Sequence, residues 1–100
     1  MNDKKFEIKA DWNELLVKHL KTYLSNLDEQ KHDANYGYNQ FNAESLIDKA
    51  NKAEGGAFLV SVNQIGFILR EVLYQFYHLD ANVDDETKKM MKEMGRFFRG

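Results

Sequence analysis

Residues 61–79 read SVNQIGFILREVLYQFYHL, and the whole chain is organised around them. At about 100° per residue, Val62, Ile65, Ile68, Leu69, Val72, Leu73, Phe76 and Leu79 fall on one unbroken arc of roughly 140°. That is wider than the stripe a surface helix needs. Gln64, Glu71, Gln75 and His78 form only a narrow polar line opposite. The pattern predicts a central helix, covered on two sides. Its start is chemically specified, because Ser61 followed three residues later by Gln64 has the form of a capping box.

Between arc and polar line lies a mixed strip: Asn63, Phe67, Arg70, Tyr74 and Tyr77. Aromatics and Arg dominate binding hot spots, so this strip is a candidate partner face. The competing reading packs the aromatics under a neighbouring helix while Arg70 reaches out to water.

Working outward, Phe6, Ile8 and Ala10 alternate with Glu7 and Lys9, a short strand pattern. Asp11 has the chemistry of an N-cap, with Glu14 in the reciprocal position. A first helix then follows over about Trp12–Leu27, with Trp12, Leu16, Leu20, Tyr23 and Leu27 on one face. Lys18, Lys21, Asn13 and Asn26 fall mostly outside that face, and His19 flanks it. Residues 28–42, DEQKHDANYGYNQFN, break the periodicity and are expected to be an internal loop carrying Tyr36, Tyr38 and Phe41. Asn42 suits an N-cap for a second helix over Ala43–Glu54, whose Ala43, Leu46, Ile47, Ala50 and Ala53 share a face. Gly55 and Gly56 supply its stop. Ala57–Val60 is short and apolar, and can pair with the Lys5–Lys9 stretch. A last helix is expected over about Asp84–Arg99. Acids at its start and Arg96 and Arg99 at its end complement the helix dipole. Its Met90, Met91, Met94, Phe97 and Phe98 lie opposite Lys88, Lys89, Lys92, Arg96 and Arg99.

The totals bound the class. One hundred residues, 43% apolar and 30% charged, suit a single globular domain with a modest core. A net charge of −2 gives no overall pull toward nucleic acid or an anionic membrane. With no Cys, disulfides, zinc–thiolate sites and thiol catalysis are excluded. No stretch has the length of a membrane span, and the N-terminus lacks the apolar segment of a secretory signal, so a cytoplasmic location is expected. The absence of Pro fits uninterrupted helices.

Signals for chemistry are thin. His19, His32 and His78 are scattered and show no paired metal spacing, and no nucleophile elbow, phosphate loop or dinucleotide fingerprint is present. The expectation is therefore no enzyme, with no catalytic residue, no metal, no cofactor and no small-molecule substrate. Helices two and three have the outline of a helix-turn-helix. Their connection is longer than the usual turn, however, and the exposed side of helix three offers Arg70 offset by Glu71.

The fold expected is mainly α: about four helices packed around the central helix 61–79, with a minor two-stranded β piece from 5–9 and 57–60. The function expected is a non-enzymatic protein-interaction module: an adaptor, inhibitor or regulator, phage- or plasmid-like in composition. Its partner would be another protein or a second copy of itself, so a homodimer is one form. The candidate surface is Phe67, Arg70, Tyr74 and Tyr77, with Met90, Met94 and Phe97 as a second. The alternative is a DNA- or RNA-binding regulator that uses Lys88, Lys89, Lys92, Arg96 and Arg99, since cations on one helix face can follow a phosphate backbone.

Overall fold

The computed structural model describes residues 4–27, 34–74 and 83–99. In it the chain is mainly helical with a small antiparallel sheet, as expected. The alternation at the N-terminus forms β1 (Lys5–Ile8), which pairs with β2 (Phe58–Ser61) in the register Phe6 to Val60 and Ile8 to Phe58. These four residues face the core, where Ile8 and Val60 are fully buried.

Helix α1 (Ala10–Leu27) begins two residues earlier than its pattern suggests, so Asp11 lies within the first turn instead of capping it. A carboxylate there still meets the positive end of the helix dipole. Trp12, Leu16, Leu20 and Leu27 are buried as the spacing requires. Asn13 is a correction: it is 4% exposed, and its Nδ2 donates to the carbonyls of Ala50 (3.1 Å) and Gly56 (2.9 Å). One amide thereby ties α1 to the end of the following helix.

That helix, α2 (Tyr36–Lys52), corrects the expected loop over 28–42. Residues 36–42 are helical, while 28–33 lie outside the described residues. Asn42 is not a cap; it sits inside the helix and its Nδ2 bonds back to the Tyr38 carbonyl at 2.9 Å. Asn39, Ala43, Leu46 and Ala50 form the buried face. Past the helix end, Glu54 and Gly55 have φ of 52° and 81°, the left-handed geometry that the glycine accommodates without strain.

The central stretch begins as expected. Gln64 N donates to Ser61 Oγ (3.2 Å) and Ser61 N donates to Gln64 Oε1 (2.8 Å), completing the capping box. The stretch is not one uniform helix, however. The α-helical part, α3, covers Val62–Phe67 and passes into a π-helical turn over Ile68–Val72. Residues 75–82, with Tyr77, lie outside the described residues.

Helix α4 (Asp85–Arg99) closes the core with Met90, Met91 and Met94, all buried. Trp12 Nε1 donates to Glu86 Oε2 at 3.1 Å, Lys9 sits 4.7 Å over the Trp12 ring, and Lys9 also pairs with Glu93 at 3.6 Å. The start of α1 is thereby clamped to α4. Among the described residues, no helix is long and apolar enough to cross a membrane.

Candidate interaction surface

The surface grows out of the π turn. In a regular α-helix a five-residue step advances about 500°, which would leave Leu73 some 140° round from Ile68. Here Leu73 N donates to Ile68 O at 2.8 Å, an i→i−5 bond that brings Leu73 back beneath Ile68. Both side chains are fully buried. The widened turn presents its two remaining polar residues, Arg70 and Glu71, to solvent. Turns of this kind occur frequently at functional sites.

Arg70 and Glu71 are held apart from one another. Arg70 Nε donates to the Gly66 carbonyl at 3.1 Å, folding the side chain back along its own helix. Asn39, on the first turns of α2, donates from Nδ2 to Glu71 Oε1 at 3.0 Å. Arg70, Glu71, Tyr38, Asn39, Asn35 and the edge of Phe67 then line a cleft of about 250 Å³. Of that lining Tyr38 is 67% exposed, and Phe41, 68% exposed, follows it three residues on as its neighbour on the outer surface of α2. Tyr74 is about half exposed at the far end of the π turn.

The expected site residues separate into three groups. Arg70 and Tyr74 are exposed, whereas Phe67 is a correction. Phe67 is 4% exposed and packs edge-on against Tyr23 of α1, with ring centroids 5.6 Å apart. The second surface is also corrected: Met90 and Met94 are fully buried, and Phe97 is partly buried against Phe6 at 5.3 Å. These side chains build the core and are not available to a partner in this fold. On α4, Lys88, Lys89, Lys92, Arg96 and Arg99 are all exposed, with Lys89 paired to Glu86 at 3.6 Å. The helix-turn-helix outline is not formed, because β2 occupies the connection between α2 and α3.

The sequence pattern assigns Tyr38 and Phe41 to a loop and gives Asn39 no role. The spacing of Asn39 with Ala43, Leu46 and Ala50 was the available signal, since it continues the apolar face of α2 backwards.

A second polar group lies at the start of α4. Asp84 takes the Thr87 hydroxyl on Oδ1 at 2.5 Å and the Thr87 N–H on Oδ2 at 3.4 Å. His19 Nε2 lies 3.1 Å from Thr87 Oγ1. Because the Thr87 proton goes to Asp84, His19 must be the donor in its bond to Thr87. Burial lowers the His19 pKa, against the attraction of Asp84, and the Thr87 hydroxyl bond lowers that of Asp84. Thr87 is fully buried and gives its proton away from His19, so this arrangement caps α4 and does not activate a nucleophile.

A wider concavity, about 600 Å³, is an open trough between α1 and the end of α2, rimmed by Glu14, Lys18, Lys21 and Glu54. Among the described residues no cluster of three or more His, Asp or Glu side chains could hold a metal ion. Comparison with protein-family models, curated proteins and solved structures finds no match to this chain.

Proposed function

We propose that the chain is a non-enzymatic protein-interaction module, an adaptor, inhibitor or regulator acting in the cytoplasm. It engages its partner through Tyr38, Phe41, Arg70 and Tyr74. The observation that carries this reading is the exposure of Tyr38, in the lining of the Arg70 cleft, and of its helix neighbour Phe41, while most other large apolar groups among the described residues are at least partly buried. Exposed aromatics clustered next to an Arg are the composition of a binding hot spot.

The test compares capture by the wild type and by the Tyr38→Ala/Phe41→Ala variant, in the presence of nuclease and at high salt. A protein partner retained by the wild type and lost by the folded variant supports the reading. Equal retention by both refutes it.

A second reading has its own observation. Lys88, Lys92, Arg96 and Arg99 recur at spacings of four, four and three and form no ion pair among the described residues. At about 1.5 Å per residue they make a stripe roughly 16 Å long, which suits a phosphate backbone. Neutralising Lys92 and Arg96 to Gln should then reduce nucleic-acid retention and flatten its salt dependence. Unchanged retention removes this reading.

A further inference from the structure

We propose that the partner of the cleft is a second copy of this chain, joined across a two-fold axis that sets Arg70 of each protomer against Glu71 of the other. This rests on the interaction-module reading and names its partner.

The argument starts from charge. The cleft carries one cation and one anion on consecutive residues, both exposed. Neither neutralises the other, since Arg70 is tethered through Nε to Gly66 and Glu71 through Oε1 to Asn39. Among the described residues neither forms an ion pair, whereas Lys9, Lys52 and Lys89 each do. The tethers leave the two terminal nitrogens of the Arg70 fork and the second oxygen of Glu71 for an outside group. A planar guanidinium fork of this kind matches a carboxylate.

The same pair of charges selects the occupant. A phosphate backbone or a wholly acidic peptide attracted by Arg70 would meet the Glu71 carboxylate in the same cleft. The partner must present an acid and a base side by side, in reversed order. A two-fold interface supplies that pattern from the chain itself, because residue i meets residue j and residue j meets residue i. At about 250 Å³ the cleft is also smaller than the roughly 300–1,000 Å³ of small-molecule sites, and admits about one side chain. Tyr38, 67% exposed, lines it with aromatic surface, the apolar component a stable interface requires.

The test is the molar mass of the purified chain by light scattering over a dilution series, using Arg70→Glu, Glu71→Arg and the double reversal R70E/E71R. The wild type should be dimeric at the concentrated end. Each single reversal faces like charges across the axis and should weaken dimerisation about tenfold or more. The double reversal restores both pairs and should return to within about threefold of the wild type. Glu71→Gln keeps an acceptor for Asn39 while losing the charge, and should also weaken the dimer; this separates loss of pairing from local damage. A wild type that stays monomeric throughout overturns the proposal, as does a double reversal no tighter than the single ones. If the wild type is monomeric yet captures a foreign protein in a Tyr38- and Phe41-dependent way, the interaction reading stands and this proposal alone falls.

Discussion

Phe67→Ala should be among the most damaging single changes in the chain, although Phe67 lies on the aromatic strip that the sequence offers as a binding face. Phe67 is 4% exposed, and its ring meets Tyr23 edge-on at 5.6 Å, 89° between planes. Truncating a buried Phe to Ala costs about 3–5 kcal/mol through lost transfer energy and the cavity left behind. Loss of the edge-to-face contact falls within that sum and biases it toward the upper half. A domain of this size is stable by about 5–15 kcal/mol, so the substitution removes about a fifth of the total at the least and most of it at the low end of that range. At a urea slope of about 1.5–2 kcal/mol per molar, the midpoint should fall by roughly 2 M. Trp12 is the single Trp and is 2% exposed, so its fluorescence reports the transition directly. Tyr38→Ala is the matched control: at 67% exposure it should change stability by no more than about 0.5 kcal/mol. If Phe67→Ala moves the midpoint by less than about 0.3 M at an unchanged slope, or if Tyr38→Ala costs as much, the assignment of these two aromatics to core and surface is wrong.

Stability should also fall on mild acidification. The His19 pKa is lowered in the fold from 6.5, so the unfolded chain binds more protons below that value and its protonation draws the equilibrium toward unfolding. The urea midpoint should be full near pH 8 and lower near pH 5, with His19→Gln flattening the dependence; a midpoint that rises on acidification contradicts the burial of a neutral imidazole. The lowered Asp84 pKa adds a separate loss at more acid pH, below its ordinary 3.8. Ser61→Ala removes one arm of the capping box and should cost about 1 kcal/mol in the same urea assay, while Ser61→Asp should retain most of it. Asn13→Ala leaves the Ala50 and Gly56 carbonyls without their side-chain donor and should cost about 1–3 kcal/mol, against almost nothing for Asn26→Ala on the exposed side of α1.

What was legible in the sequence was whatever a single element fixes by itself. The Ser61–Gln64 box needs three consecutive peptide units and no tertiary partner, and it forms as written. The methionine face of α4 follows from spacing alone, as does the alternation of Phe6 and Ile8. What failed depended on neighbours. Phe67 lies about 100° outside the apolar arc of its helix, yet it is buried because Tyr23 covers that side. Leu69 lies inside the arc and is only partly buried; it sits within the π turn, which is wider than the 3.6 residues a wheel assumes. The start of α2 was hidden by one polar residue in a core position. Asn39 is 8% exposed and breaks the hydrophobic count, but Glu71 accepts its amide proton across the cleft, which makes the burial affordable.

The same neighbours decide where the surplus apolar surface ends up. A chain of one hundred residues cannot bury a central helix, a methionine face and a triplet of aromatics equally well. The fold resolves this by closing α4 and Phe67 into the core and leaving Tyr38 and Phe41 outside. Asn39 is the hinge of that choice. By turning inward to Glu71 it fixes the phase of the first turns of α2, and that phase is what sends Tyr38 and Phe41 outward, since neighbours one and two positions away on a helix point in different directions. The polar contact that costs α2 its regular apolar face therefore also sets Tyr38 at the edge of the Arg70–Glu71 cleft and Phe41 on the outer surface next to it.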